Sequence, residues 1–141
     1  MGNELLIGKS ETQTNKYQEK TYSKGTASKN ITVILPAYNE EVSIGSIVLL
    51  TRFYADNVIV VDDGSSDRTA EVARKAGAEV IVHKVNQGKG AALKTGFTAA
   101  VSLGADVIVT MDSDGQHNPA DIPKLVEPIL KGEADMVNGS R

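Results

Sequence analysis

Val107-Ile108-Val109-Thr110-Met111 is an apolar run that gives way at once to Asp112-Ser113-Asp114-Gly115-Gln116-His117. Short runs that are apolar almost without alternation suit strands covered on both faces. The same texture recurs at Ile31–Leu35, Val58–Val61, Glu79–His83 and Ala134–Val137. Helical patterns fill the intervals. Val42, Ile47, Leu50 and Phe53 mark one face of a first helix. Asp67 to Ala76 forms a second, with Ala70, Ala73 and Ala76 inward and Gly77 as its left-handed stop. Lys89 to Leu103 forms a third, ending at Gly104. Asn118 caps a fourth, with Pro119 in its first turn and Ile122, Leu125, Val126 and Ile129 facing the core. Strand and helix alternate throughout, which predicts an α/β fold with a mostly parallel sheet flanked by helices.

The whole composition bounds this reading. At 141 residues and 40% hydrophobic content the chain supports one moderate core. Residues 1–30 are polar except for Leu5, Leu6 and Ile7, and are expected to form a disordered tail; residues 31–141 carry the domain. A net charge of -3 gives no general pull toward nucleic acid or an anionic membrane, so no nucleic-acid partner is expected. Cysteine is absent, which excludes disulfides, thiolate metal sites and cysteine nucleophiles. The start of the chain has no secretory pattern, and the longest apolar stretch, Val42 to Leu50, is interrupted by Ser43, Gly45 and Ser46. A spanning helix needs about 18 apolar residues, so membrane contact is expected to be peripheral at most.

In parallel α/β sheets ligands collect at the carboxyl ends of the strands, and those ends are polar here. Pro36-Ala37-Tyr38-Asn39-Glu40-Glu41 offers a helix start, a flat ring for a base and a cap at Asn39 or a neighbour. Asp62-Asp63-Gly64-Ser65-Ser66-Asp67 sets two carboxylates side by side, suited either to a ligand N–H or hydroxyl or to turn formation. Asp67 reads as a helix cap. Asn86-Gln87-Gly88-Lys89-Gly90 fails both phosphate-loop patterns, because Leu93 stands where each needs glycine. What survives is a glycine-flanked Lys89 at a helix N-terminus, suited to a diphosphate or simply solvated. Asp112 and Asp114, with Gln116 as a neutral oxygen, form an all-oxygen set suited to Mg²⁺ or Mn²⁺ with water and phosphate completing the sphere. His117 is expected to orient a neighbour.

Five segments in order resemble the family-two glycosyltransferases with the GT-A fold: ITVILPAYNEE, VIVVDDGSSDRT, NQGKGAALKTGF, VIVTMDSDGQHNPADIPKLVEPI and ADMVNGSR, spanning Ile31 to Arg141. The DSDGQH form is most similar to the branch of dolichyl-phosphate mannose synthases and polyprenyl-phosphate glycosyltransferases. The resemblance implies a GT-A-like, Rossmann-like nucleotide-binding half. It implies that Pro36, Ala37, Tyr38 and Glu40 line a nucleotide pocket, with Asp63 on the base and Lys89 approaching the nucleotide. It places Asp112 by ribose and metal, Asp114 and Gln116 on the metal, and the catalytic burden on Asp112 and Asp114. Ser140 and Arg141 would contact the acceptor phosphate.

The implied reaction transfers a hexose from a GDP- or UDP-sugar to a polyprenyl phosphate, in the cytoplasm or at the cytoplasmic membrane face. The family continues beyond the position of Arg141, so the chain is expected to be the carboxyl-terminally truncated nucleotide half of a larger domain. Two other readings compete. One is a non-catalytic nucleotide-sugar-binding fragment. The other is a sugar-phosphate nucleotidyltransferase, whose glycine-rich loop is not visible after Leu35.

Overall fold

The computed structural model describes residues 29–114 and 116–132. The tail before Lys29, the run at Ala134–Val137, and Ser140 and Arg141 lie outside the described residues. The elements alternate in chain order: β1 (Ile31–Ala37), α1 (Glu41–Thr51), β2 (Asn57–Asp62), α2 (Thr69–Ala76), β3 (Glu79–Val82), α3 (Lys89–Ser102), β4 (Val107–Thr110), a 3₁₀ turn (Pro119–Asp121) and α4 (Ile122–Leu130). The four strands are parallel and ordered β3-β2-β1-β4. The chain winds outward from β1 to β3, then crosses back to place β4 on the other side of β1. That reversal makes the carboxyl ends of β1 and β4 a topological switch point, where a crevice opens in sheets of this class.

Alternation along β1 assigns the two faces. Ile31, Val33, Leu35 and Ala37 pack with α1, α2 and α4, whereas Ile34 joins Ile59, Val61, Ala92 and Ala100 beneath α3. On the second face small residues let α3 lie close to the sheet; a Cβ on Gly96 would fall within the Ile34 side chain. Left-handed glycines close the helices, at φ 109° for Gly77, 79° for Gly104 and 76° for Gly132. The three helix-ending glycines therefore share the left-handed region.

Three sequence expectations change. The first helix buries Ile44, Ile47, Val48 and Thr51, an i, i+3, i+4, i+7 stripe. Val42 is 98% exposed, and Leu50 and Phe53 are about half exposed, so the face predicted from them points outward. The helix is apolar nearly all round, and the crossover geometry selects the stripe. Second, β3 is an edge strand with Glu79 and Val82 exposed, not a strand covered on both faces. Third, Asn30, assigned to the tail by composition, belongs to the base of the sheet. Its N–H donates to Asp106 Oδ2 at 2.7 Å, and its Oδ1 accepts from Thr32 Oγ1 and Asn57 Nδ2.

Candidate functional site at the carboxyl ends of the strands

Hydrogen bonds between distant segments knit the four polar strand ends together. At the switch point, Ser113 Oγ donates to the Pro36 carbonyl at 2.8 Å, and Ser43 Oγ donates to the Ser113 carbonyl at 2.9 Å. The exit of β4 is thereby fixed against the exit of β1 and the start of α1. Ser113 is itself buried, so the two flanking aspartates are held outward by an anchored residue. Asp112 is half-buried and Asp114 exposed. The His117 Nδ1 accepts from the Asp112 N–H at 3.3 Å, which gives the ring the orienting role expected of it. Asp114 Oδ1 accepts from the Gln116 N–H at 3.0 Å and so shapes its own turn.

The α1 and α2 starts cap each other. Glu41 Oε1 accepts from the Arg68 N–H at 2.9 Å, while Asp67 Oδ2 accepts from the Glu41 N–H at 3.3 Å. The Glu40 N–H donates to Thr69 Oγ1 at 2.9 Å, and Asp67 Oδ1 accepts from both the N–H and the hydroxyl of Thr69. Asp67 thus takes the first N–H of α2 from one position before the N-cap, Arg68. Asn39 does not cap α1. It adopts a left-handed φ of 52°, accepts at Oδ1 from the Ser66 N–H, and donates its own N–H to Ser65 Oγ. The short Asn side chain tolerates that backbone and uses it to join the first two strand ends.

The adjacent aspartates after β2 divide the work. Asp62 Oδ1 accepts from the Ser65 N–H at 3.0 Å and forms the turn. Asp63 is buried and turns toward the third strand end. Its Oδ1 accepts from the Gln87 N–H at 2.9 Å and faces His83 Nδ1 at 2.8 Å, and its Oδ2 accepts from the Gly88 N–H at 2.8 Å. A carboxylate has about four acceptor positions, and these three bonds fill most of them. Burial pushes the Asp63 carboxyl up, but the bonds from Gln87, His83 and Gly88 outweigh it and leave the group below the ordinary aspartate value.

That shift has a consequence for acid stability. A folded-state value below the unfolded one means that the native state favours the carboxylate. The stabilisation is complete above the ordinary aspartate range and is lost as pH falls through and below it. Asp63→Asn is expected to be less stable than the parent at neutral pH, with a gap that closes in acid. Urea unfolding of both proteins across that range checks it; a gap independent of pH would show that the Asp63 charge is not what is stabilised.

The third and fourth strand ends meet through Lys89, the first residue of α3, whose Nζ lies 2.5 Å from Asp112 Oδ1. Gly88 precedes it at φ 100° and is the N-cap of the helix. Of the residues singled out in the sequence, Pro36, Lys89 and Asp112 are thus brought to the switch point. Tyr38, which follows β1 directly, is half-exposed. Glu40 is partly buried, and its carboxylate accepts from Ser43 Oγ at 3.3 Å. Ala37 is different: its side chain lies in the core and its carbonyl accepts from the Asp63 N–H. Ser140 and Arg141 fall outside the described residues. His83 and Thr95 had no signal beyond a histidine at a strand end, because their partners are remote in sequence.

Among the described residues no group of three His, Cys, Asp or Glu side chains is arranged to hold a metal. Asp112 and Asp114 stand two positions apart in the turn after β4, with the Gln116 amide two positions further on. The Lys89 ammonium on Asp112 shows that this carboxylate already draws a positive charge. Such a set fits Mg²⁺ or Mn²⁺ bound together with substrate phosphates, which is the usual manner for these hard ions. No helix among the described residues is long and apolar enough to cross a membrane.

Comparison with known proteins places this geometry. The glycosyl transferase family 2 pattern matches residues 32–141. The UDP-N-acetylglucosamine–dolichyl-phosphate N-acetylglucosaminyltransferase of Methanococcus voltae is 41% identical over 133 residues, covering 82% of this chain and 53% of that protein. The undecaprenyl-phosphate 4-deoxy-4-formamido-L-arabinose transferase of Pectobacterium carotovorum is 39% identical over 118 residues, covering 74% of this chain and 35% of that protein. Among solved structures, glucosyl-3-phosphoglycerate synthase from Mycobacterium tuberculosis, in complex with Mn²⁺, UDP-glucose and phosphoglyceric acid, superposes with a TM-score of 0.63. It shares 33% identity and covers 83% of this chain and 46% of that one. The chain spans about half or less of the length of these relatives. With a parallel α/β sheet, a knitted switch point and a match over most of its length, the chain belongs to glycosyl transferase family 2.

Proposed function

We propose that this chain forms the nucleotide-sugar-binding part of a glycosyltransferase that moves a hexose from a GDP- or UDP-sugar to a polyprenyl phosphate. The observation that carries the reading is the stitching of β4 to β1 through Ser113 and Pro36, which presents Asp112 and Asp114 at the switch point. Tyr38 stacks on the base, Pro36 and the Ala37 backbone bound the pocket, and Glu40 closes its α1 side. Asp63 offers its remaining acceptor position to a base N–H. Lys89, at the start of α3, is within reach of a diphosphate. Asp112, Asp114 and Gln116 would hold a Mg²⁺ or Mn²⁺ ion, which when bound supplies charge stabilisation to the departing nucleoside diphosphate.

The bond between the anomeric carbon and the diphosphate oxygen breaks, and its electron pair leaves with the nucleoside diphosphate. An oxygen of the acceptor phosphate supplies the pair for the new bond. That oxygen is already anionic, so no general base is required on the attacking side. Ser140 and Arg141 are assigned to the acceptor phosphate, where the guanidinium would give a charge-assisted fork. The names of the archaeal and bacterial relatives favour a polyprenyl phosphate acceptor, and an acceptor of that kind would bring the domain to a membrane face, which we take to be the cytoplasmic one with peripheral contact.

Titration of UDP-, GDP- and dTDP-hexoses with and without Mn²⁺ tests the reading. Saturable binding that needs Mn²⁺ is expected for at least one of them, and its absence for all would refute the proposal. Adding a short polyprenyl phosphate or phosphoglycerate then separates a competent transferase from a fragment that binds the donor and transfers nothing.

A further inference from the structure

A second layer of polar side chains lies behind the pocket, centred on His83. The residue follows β3 directly and is buried, with a polar partner at each ring nitrogen. Its N–H donates to the Asp62 carbonyl at 2.9 Å, which extends the sheet pairing by one residue. Nδ1 lies 2.8 Å from Asp63 Oδ1, and Nε2 lies 2.9 Å from Thr95 Oγ1 on α3. An ionised carboxylate only accepts, so Nδ1 carries the hydrogen that faces it. The ring therefore bridges the end of β2 to the body of α3.

Asp63 passes that constraint on. Its other bonds come from the main-chain N–H groups of Gln87 and Gly88, the last two residues before α3. The next residue is Lys89, whose ammonium meets Asp112. A series of contacts of 2.5 to 2.9 Å thus runs Thr95–His83–Asp63–Gln87/Gly88 and on to Lys89–Asp112. Residues 84–87 of the loop before Lys89 are exposed and a Cβ on Gly88 or Gly90 would meet nothing within 4 Å, while the Val85–Asn86 backbone packs against Gly64. The loop's Gln87–Gly88 end is tied to Asp63, and Asp63 in turn to His83.

We propose that His83 is a positioning residue for the nucleotide pocket, holding the Asp63 carboxylate so that the Gln87–Lys89 loop presents Lys89 to Asp112 and the incoming diphosphate. This rests on the pocket reading given above. His83 touches neither nucleotide nor metal; it acts through Asp63. Ligating residues at metal and phosphate sites commonly depend on such outer partners, whose loss costs about 10- to 100-fold in affinity.

Two conservative substitutions separate positioning from simple structural support. His83→Asn places an amide N–H near the position of Nδ1 and keeps the bond to Asp63. His83→Gln reaches the Nε2 position and Thr95 but leaves Asp63 without its side-chain donor. Hydrogen exchange at the Gln87 and Gly88 amides, read without nucleotide, is expected to accelerate about tenfold in His83→Gln and little in His83→Asn. Affinity for UDP or GDP in the presence of Mn²⁺ is expected to follow the same order. Equal effects of the two substitutions, or none, would overturn the proposal. Should His83→Gln not fold, Thr95→Val loosens the ring from α3 and is expected to accelerate the same two amides; unchanged exchange there overturns it equally. The exchange readout needs no ligand. A parent protein that binds no nucleotide but shows the exchange pattern would defeat the pocket reading and leave the loop-positioning role standing.

Discussion

Asp114→Asn is expected to abolish Mn²⁺-dependent nucleotide binding while leaving the domain folded. The side chain is exposed, and the bond it makes is the one from the Gln116 N–H to Oδ1. Asparagine keeps an acceptor oxygen at that position, so the turn survives. What goes is the negative charge that completes the pair with Asp112. A site that offers two carboxylates and relies on phosphate oxygens for the rest has little ligand charge to spare. Loss of an outer-shell partner alone costs about 10- to 100-fold, so losing a direct ligand is expected to exceed about 100-fold and take Mn²⁺–UDP or Mn²⁺–GDP binding below detection. Calorimetric titration of variant and parent at equal ionic strength measures this, with thermal unfolding as the check on the fold. Unchanged affinity would remove Asp114 from the metal site.

The second large effect is on stability. Gly64 sits at φ 81°, and a Cβ there would lie 2.5 Å from the Asn86 nitrogen and 2.7 Å from the Val85 carbonyl carbon, both backbone atoms. Gly64→Ala therefore combines a left-handed conformation, costing about 1–2 kcal/mol, with overpacking against a rigid neighbour, costing about 1–3 kcal/mol. Gly104 serves as the control. Its φ is 79°, nearly the same, but a Cβ there would meet nothing within 4 Å. Gly104→Ala should lose about 1–2 kcal/mol, and Gly64→Ala about 2–5 kcal/mol, measured by urea unfolding with the slope held constant. Equal losses would mean that the turn after β2 and the loop before α3 are not in contact as described. Displacing that loop would also disturb the amides that Asp63 holds.

Local patterns carried much of the fold because the strands are short apolar runs and the helices end at glycines or begin at caps. Gly77, Asn118 and the stripe of Ile122 and Val126 are where their residue types require them to be. Where the pattern was locally degenerate, tertiary packing decided. Apolar residues surround α1, so the sequence contained two stripes, and the right-handed crossover buried the one containing Ile44 and Val48. The run at Glu79–Val82 resembles the inner strands, because position in the sheet is a property of topology and not of four residues.

The same distinction holds at the strand ends. Carboxylates and glycines flagged the right segments, yet the sequence could not divide Asp62 from Asp63. That division depends on His83, Gln87 and Gly88, which lie 20 to 25 residues from Asp63. The reciprocal capping of α1 and α2 was equally hidden, since Glu41 and Asp67 each satisfy the other helix and not their own first turn alone.

The central claim is that a divalent metal and a nucleoside diphosphate bind together at the switch point between β1 and β4. Paramagnetic broadening of amide resonances on adding Mn²⁺ with UDP or GDP tests it most directly. The expected result is broadening centred on residues 112–116, reaching 36–40 and the start of α3 at Lys89, and absent when either Mn²⁺ or nucleotide is left out. Broadening centred elsewhere on the sheet, or equally strong with Mn²⁺ alone and untouched by nucleotide, would contradict the account.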